Sequence, residues 1–431
     1  MIAKATPASL AFLYWHTEHL MKVKWKENKN LKPQILMDRM SEITSILPDG
    51  RASFSAFEKH QLDAVLLTML DFNKEYSPST IKELFNSGID YCAKRNEFTK
   101  SAFIVGINEA VVRRGARSEQ TFILVTSIST FDGFAKNRIN LRNSVIKSWP
   151  KGMPKKYITR QKLEWRHGDS PMPEEYCPIT VTVKSKDSMD AAHAAIYDLD
   201  YVRGIHSLFV NPPSELNFGG GSILPINKIM LGGMHTLHDS KGNLAKENVY
   251  WYERNYRVRR PVRFSNKLTL AKNITYIDEQ IKVHSDGFVI KDAIVRYVRA
   301  YDESDRNVTI QKAWAALESI VCPHENNASS IVRRCSFMFA DRPYYEQVLE
   351  HLREYRNRNM HSGYEFDDLD FHCYQLQQFF RQAVLFYLKN ASTFSGLQEA
   401  NKFLDLPSTL AELTKLKMHV EKAMKFQQLD S

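Results

Sequence analysis

Residues 371–388 are the segment that most constrains how this chain can fold. They read as a single helix that is apolar on nearly every side. Its apolar residues include Phe379, Phe380, Val384, Leu385 and Phe386. A helix without a polar face must lie among other packed elements. No apolar run in the chain approaches the roughly 20 residues that span a bilayer, so we expect this helix at the centre of a helical core.

The segments around this helix carry apolar residues at three- and four-residue intervals, which is typical of amphipathic helices. We predict helices over residues 288–301, 309–321 and 409–426. A further helix through Leu352 is predicted to end near Gly363, because glycine commonly terminates helices. From about residue 288 onward the chain therefore reads as helix throughout.

The first two thirds of the chain mix helix and strand. Residues 53–96 read as two helices, and the second is predicted to open at Ser77-Pro78. Runs of β-branched residues over 121–126 and 179–183 predict strands. The second run is followed by Asp187, an N-cap residue placed before a periodic helical segment.

These patterns predict an α+β fold class, with a mixed N-terminal region followed by an all-α C-terminal helical bundle. We expect a partly helical N-terminal subdomain over 1–100, an α+β domain over 101–285 and a helical domain over 286–431. A hydrophobic content of 43% with 11% aromatic residues is enough for packed cores in a chain of 431 residues.

Positive charge is concentrated in the first two thirds of the chain. The formal net charge is +10, yet residues 286–431 hold 18 Lys and Arg against 20 Asp and Glu, which leaves +12 for residues 1–285. A basic N-terminal part favours a polyanionic partner such as nucleic acid.

The cysteines suggest neither a disulfide framework nor a zinc site. They are Cys92, Cys177, Cys322, Cys335 and Cys373. No two have C-x-x-C spacing, and Cys322 and His324 lack a second pair of ligands, so we expect no metal and no other cofactor. The N-terminus is interrupted by His16 and Glu18 too early for a signal-peptide core. We therefore expect a cytoplasmic protein without a membrane partner.

One short motif carries chemistry: Arg356-Asn357, followed by His361 in an R-N-x3-H pattern. An arginine stabilises charge that develops on a phosphate, and an imidazole moves protons near neutral pH. Together these groups can cleave RNA without a metal, because the imidazole can deprotonate a ribose 2′-hydroxyl. On a helix Asn357 and His361 are four residues apart on one face, where the amide can orient the imidazole.

The spacing of this motif is weak by itself. Arg160 and His167 match a looser R-x6-H form in a loop-like stretch. A structural alternative also exists for the main motif. It is a solvated basic helix end, in which Arg353, Arg356 and Arg358 interact with the negative end of the helix dipole.

Residues from about 288 to the end resemble a HEPN domain, in the branch found in ApeA-like anti-phage defence proteins. The resembling features are Trp314-Ala315-Ala316-Leu317-Glu318 in an early helix and Arg356 through Gly363 at the end of a later one. The apolar helix then follows. The resemblance implies a metal-independent endoribonuclease that forms a homodimer, so that two R-x4-H motifs build one composite site. Some members of the family have lost activity and act as scaffolds.

By this resemblance Arg356 binds the scissile phosphate, His361 is the general base or acid, and Asn357 fixes the imidazole tautomer. Glu318 and Arg358 are supporting residues, with Glu318 an ion-pair partner of Arg356 or of Arg358. In HEPN fusions of this layout the N-terminal region resembles a sensor. The implied function is an abortive-infection effector of prokaryotes that cleaves RNA after a phage-derived protein or nucleic acid triggers it.

A segment between Tyr250 and Phe264 interleaves arginines with aromatic residues. Its arginines are Arg254, Arg257, Arg259, Arg260 and Arg263. Guanidinium groups pair with phosphates and aromatic rings stack on bases, so this segment is a candidate nucleic-acid contact. The alternative is an exposed strand whose aromatic residues face a core.

Two other functions stay open. The first is a non-catalytic HEPN interaction module whose N-terminal domain binds nucleic acid or protein. The second is a ribonuclease gated by a cyclic oligonucleotide. That function requires a Rossmann-like sensor, and the N-terminal half of the sequence has no clear alternation of strand and helix.

Overall fold

The computed structural model describes residues 22–26, 30–47, 52–73, 75–167, 170–215, 224–323, 328–362 and 369–427, without the side chains of Ala328 and residues 360–362. Within these residues a region of mixed helix and strand precedes a region that is all helical, which confirms the α+β fold class. None of the described helices is long and apolar enough to cross a membrane.

The first part of the chain packs helices around a core of its own, beside two short strand pairs. Its helices are α1 (Pro33–Ile43), α2 (Ala56–Thr68), α3 (Pro78–Arg95) and α4 (Lys100–Gly115). Its strand pairs are antiparallel and join β1 (Lys24–Trp25) to β4 (Leu70–Asp71) and β2 (Thr44–Ile46) to β3 (Ala52–Phe54). The two helices predicted in residues 53–96 are confirmed as α2 and α3.

Helices α3 and α4 cross at a point where only glycine fits. A Cβ added at Gly106 would lie 2.4 Å from the Cβ of Tyr91. Helix α3 begins as predicted, because Ser77 Oγ accepts a 3.1 Å hydrogen bond from the Thr80 amide. Helix α4 is not among the predicted elements, although it supplies much of this core.

Six of the described strands form one antiparallel sheet in the middle of the chain. They are β5 (Gln120–Ile128), β6 (Arg138–Asn140), β7 (Ser144–Ser148), β8 (Cys177–Ser185), β9 (Met234–His238) and β10 (Trp251–Tyr252). The strand order is β10-β9-β5-β8-β7-β6. Leu124 of β5 pairs with Val181 on one side and with Leu237 on the other. The strands predicted at 121–126 and 179–183 are thus confirmed as neighbours, β5 and β8.

Helix α5 (Ser188–Val210) packs on this sheet and joins it to the C-terminal helices. It begins at Asp187, whose carboxylate accepts a 2.8 Å hydrogen bond from the Met189 amide, as the predicted N-cap requires. At Gly204 the helix lies so close to Ile294 that an added Cβ would be 2.6 Å from the isoleucine Cγ2.

The rest of the described chain is built from helices. They are α6 (Lys267–Val283), α7 (Gly287–Ala300), α8 (Arg306–Val321), α9 (Ala328–Phe337), α10 (Arg342–Ser362), α11 (Leu369–Lys389), α12 (Leu397–Leu404) and α13 (Leu410–Phe426). Helix α8 packs against both α7 and α11. Helix α11 buries Phe379, Phe380 and Val384, so the apolar helix is central as predicted. Buried apolar side chains of the sheet and the helices form one cluster that crosses residue 285, and the domain boundaries stay predictions.

Buried and partly buried charged groups also tie the sheet, α5 and α7 together. Arg203 donates two 2.6 Å hydrogen bonds to the Asp302 carboxylate. Arg299 Nη1 lies 2.6 Å from Glu253, whose other carboxylate oxygen lies 2.7 Å from His235 Nε2. Burial by itself would raise the pKa of Glu253, but Arg299 and His235 hold it well below its ordinary range.

Candidate active site on the C-terminal helices

The R-N-x3-H motif lies in the last turns of α10, and the apolar face of that helix fixes its orientation. Leu349, Leu352 and Tyr355 are buried at intervals of three residues. The Tyr355 hydroxyl donates a 2.7 Å hydrogen bond to Asn307 of α8. Arg356 therefore follows a residue that is anchored in the core.

Arg356 is held by α8 rather than solvated. Its guanidinium carbon lies 5.5 Å from the ring centroid of Trp314, which is fully buried. Arg356 Nη2 lies 3.7 Å from Glu318 Oε2, and only 22% of the arginine side chain is exposed. Trp314 and Glu318 are four residues apart and so lie on one face of α8. Arg356 is therefore not part of a solvated basic helix end, the structural alternative for this motif.

The residues next to Arg356 have their own described partners. Asn357 Oδ1 accepts a 2.7 Å hydrogen bond from Arg356 Nη1, so this amide orients the arginine. Arg358 Nη2 lies 3.0 Å from Glu354, and both side chains are more than half exposed. Among the described contacts, Glu318 therefore pairs with Arg356 and not with Arg358.

The side chain of His361 lies outside the described residues, although α10 continues through Ser362. The helix backbone places Asn357 and His361 about one turn apart. The predicted hydrogen bond between them stays a prediction. Gly363, the predicted helix stop, lies outside the described residues.

Two histidines outside the R-N-x3-H motif lie beside it. His351 of α10 and His372 of α11 have their Nε2 atoms 2.8 Å apart. The ring of His372 stacks on Tyr355 with a centroid distance of 5.1 Å. At this distance one Nε2 donates and the other accepts, so the two nitrogens are not both protonated. No motif or spacing links positions 351 and 372, and only the fold brings them together.

The described side chains include no group of three or more His, Cys, Asp or Glu residues placed to bind a metal ion. The five cysteines are buried and form no disulfide. Burial raises the pKa of Cys92 and of Cys373 to about 12. Both thiols are therefore neutral near pH 7 and poor nucleophiles.

The arginine-aromatic segment lies at the edge of the sheet, in and after β10, and its arginines differ in their surroundings. The exposed ones are Arg254, Arg257, Arg260 and Arg263. Arg259 instead donates to the carbonyl oxygen of Pro225, and burial lowers its pKa. Arg259 is thus bound within the protein while the other four face solvent. The nucleic-acid contact itself stays a prediction.

Arg160 and His167, the residues of the looser R-x6-H match, have separate structural partners. Arg160 is buried and donates to the carbonyl oxygens of Val125 and Met234 at 2.8 and 2.6 Å. His167 points elsewhere and stacks on Tyr252 with ring centroids 4.1 Å apart. The two residues of this match do not form a common site.

Comparison of the chain with models of known protein families, with curated proteins and with solved structures finds no match in any of the three. The contacts around Arg356 are therefore the observations from which a function for this chain can be argued.

Proposed function

We propose that this chain is a metal-independent endoribonuclease whose C-terminal helices form a HEPN-type catalytic domain. The observation that carries the proposal is the position of Arg356, held by Trp314 and Glu318 at the helix end that also bears His361. A positioned, partly desolvated cation stabilises a developing phosphate charge better than a mobile solvated one. Trp314 and Glu318 are also the α8 part of the HEPN resemblance.

In this mechanism Arg356 binds the scissile phosphate and stabilises charge on its oxygens. His361 removes the proton of the ribose 2′-hydroxyl, whose oxygen attacks the phosphorus and displaces the 5′-oxygen. The 5′-oxygen takes up a proton as it leaves, so the products end in a 2′,3′-cyclic phosphate and a 5′-hydroxyl. Asn357 orients the arginine and holds the His361 tautomer, and Glu318 and Arg358 support the site.

The reaction requires a base for the 2′-hydroxyl and an acid for the leaving oxygen. One motif supplies one histidine, so a homodimer with a two-fold axis between two copies of α10 supplies both groups. Residues 286–431 carry a net charge of −2. Capture of RNA therefore depends on the local arginines and on the basic N-terminal part.

The N-terminal two thirds act as the sensor of a cytoplasmic, prokaryotic anti-phage defence system. Their net charge of +12 and their exposed arginines near β10 suit an RNA contact. A phage-derived protein or nucleic acid is the trigger in this proposal. Activation then degrades cellular or phage RNA and arrests growth before the phage spreads.

The test is cleavage of a long RNA by the purified full-length chain in the presence of EDTA. We expect products with 2′,3′-cyclic phosphate ends and a rate loss of at least about 100-fold in Arg356→Ala and His361→Ala. Lys402→Ala removes an exposed cation from α12 and is the matched control. RNA integrity and growth are followed in cells that express the same variants. Variants of Arg356 and His361 that are as nucleolytic and as toxic as wild type would refute the proposal.

The second candidate is a non-catalytic HEPN interaction module. It is favoured by the observation that Glu318 and Asn357 already pair with Arg356, as around an arginine with a structural role. In that case RNA stays intact with wild type and with His361→Ala alike. Binding of nucleic acid or protein by the N-terminal region would persist in both.

A further inference from the structure

Helix α13 extends the chain beyond the helical core without being buried by it. All of its 17 residues are exposed, among them several large apolar side chains. These include Leu410, Leu413, Leu416, Val420 and Met424. An isolated helix of this length is marginal in water, because most helical stability comes from the packing of an amphipathic face. The apolar face of α13 therefore needs a partner.

Four of the apolar residues of α13 repeat in the pattern of a coiled-coil seam, whereas Met418 falls at an f position outside it. The seam consists of Leu413, Leu416, Val420 and Ala423. These residues are three, four and three positions apart, which places them at a, d, a and d of two heptads. Lys415 and Lys422 fall at c positions on the opposite, outer face.

The charges that flank this seam favour a second copy of α13 as its partner, in the parallel orientation. In this register Glu412 occupies a g position and Lys417 occupies the following e position. In a parallel pair of identical helices, g of one copy meets the following e of the other, so Glu412 meets Lys417 twice by symmetry. An antiparallel pair brings e positions together and opposes lysine with lysine.

Both flanking residues are available for this contact. Thr409 is the N-cap residue of α13, and its Oγ1 accepts a 3.3 Å hydrogen bond from the Glu412 amide. The same hydroxyl donates a 2.6 Å hydrogen bond to Glu412 Oε2, which leaves Oε1 for a partner. Lys417 Nζ lies 3.9 Å from Glu421 Oε1, and both of these side chains are more than half exposed. Such an exposed pair contributes little and yields easily to a better contact.

We propose that α13 forms a parallel two-stranded coiled coil with α13 of a second copy of this chain. The seam buries Leu413, Leu416 and Val420 against their counterparts, and the two Glu412–Lys417 pairs set the orientation. This inference extends the proposed function, whose composite site also requires a second copy. Its tests measure association and not RNA cleavage, so its failure is distinguishable from failure of the proposed function.

The parallel orientation of the two α13 helices is tested by cysteine cross-linking of the full-length chain. Ala423→Cys places a thiol at a d position, where two parallel copies bring equivalent side chains within disulfide range. The five native cysteines are buried, so mild oxidation reports on the introduced thiol. We expect a disulfide-linked dimer with Ala423→Cys and little with Lys422→Cys on the outer face. Equal cross-linking of the two variants, or none with Ala423→Cys, overturns the parallel seam.

The strength of association is tested by sedimentation velocity over a range of concentrations. Leu416→Glu puts an unpaired charge in the seam and should raise the dimer dissociation constant more than about 100-fold. Lys417→Glu opposes like charges at both pairs and should raise it about five- to tenfold. Adding Glu412→Gln, which keeps a side-chain oxygen to accept from the Thr409 hydroxyl, should recover part of that loss. Lys422→Glu makes the same charge change on the outer face and should have no effect.

None of these substitutions replaces a buried residue, so the helical core should unfold cooperatively in all of them. A wild-type chain that stays monomeric at high micromolar concentration overturns the proposal, as do seam variants that associate like wild type. Phospholipid vesicles with anionic headgroups are a separate arm of the test. If the chain is a monomer that binds such vesicles through α13, the partner of the apolar face of α13 is a lipid surface. That result also overturns the proposal.

Discussion

The guanidinium of Arg356 lies over the indole ring of Trp314, with its carbon 5.5 Å from the ring centroid. Trp314 is fully buried on α8, so its ring does not move without disturbing the core. The candidate phosphate-binding group is therefore positioned by helix packing and not by a loop. Substitutions in this part of the core should change the chemistry of the site as well as stability.

Trp314→Phe and Trp314→Leu test this coupling. Phenylalanine keeps an aromatic face for Arg356 and should lower the free energy of unfolding by about 1–2 kcal/mol, whereas leucine should lower it by about 3 kcal/mol. Because leucine removes the surface that positions Arg356, RNA cleavage should fall about tenfold further than with phenylalanine. Urea unfolding and cleavage rates of the folded variants measure the two effects. Equal cleavage rates would contradict the coupling.

Glu318→Gln tests whether the carboxylate orients Arg356. The pair is partly exposed at 3.7 Å, so its loss should change the free energy of unfolding by less than about 1 kcal/mol. We expect the cleavage rate to fall about three- to tenfold, since Arg356 loses one of its partners. Glu346→Gln breaks a pair with Arg342 near the start of α10 and is the matched control. A cleavage rate that falls equally in both variants would mean that Glu318 has no specific role.

Elements that are specified by regularly spaced apolar residues or by local hydrogen bonds are predictable from the sequence. The apolar helix α11, the strands β5 and β8, and the N-caps at Ser77 and Asp187 all belong to this group, because each depends on local pattern or local hydrogen bonds. Helix α4 was missed for a related reason. Its short apolar run around Gly106 suits a buried strand as well as a helix.

Contacts between segments distant in sequence were not predictable in the same way. The cation–π contact of Arg356 with Trp314 and the His351–His372 pair arise from the way three helices cross, and no local spacing encodes that geometry. Arg259 shows the same limit. It is an arginine like its exposed neighbours, and the approach of Pro225 and Glu215, both distant in sequence, covers its side chain.

The exposed arginines near β10 should dominate the salt dependence of RNA binding. In a His361→Ala background, replacing Arg254, Arg257 and Arg260 by alanine should flatten the slope of log affinity against log salt by about two to three. Arg259→Ala should leave that slope unchanged and lower the free energy of unfolding by about 1 kcal/mol, because it loses a partly buried hydrogen bond to a backbone carbonyl. Fluorescence anisotropy with a labelled RNA measures the slopes. An unchanged slope in the triple variant would exclude this segment as the RNA contact.

His206 is a buried, neutral residue of α5 that should make stability depend on pH. Its Nδ1 lies 2.7 Å from the Val202 carbonyl oxygen, and its Nε2 accepts a 3.1 Å hydrogen bond from the Ala135 amide. Burial lowers the pKa of His206 to about 4, although the Val202 carbonyl acts in the opposite direction. Protonation of Nε2 would break the bond to Ala135, so the ring stays neutral in the folded chain until the pH is low.

The pH profile of stability should therefore contain a contribution from His206 between its two pKa values. The unfolded chain binds a proton near pH 6.5 and the folded chain only near pH 4, so this contribution is complete above about 6.5 and is lost as the pH falls toward 4. The slope should approach about 1.4 kcal/mol per pH unit in that window. His206→Gln should be less stable at pH 7 but show a flatter profile between pH 6.5 and 4, measured by urea unfolding. His60→Gln, on the exposed side of α2, should keep the wild-type slope. If the profile of His206→Gln runs parallel to that of wild type, His206 does not titrate as its burial requires.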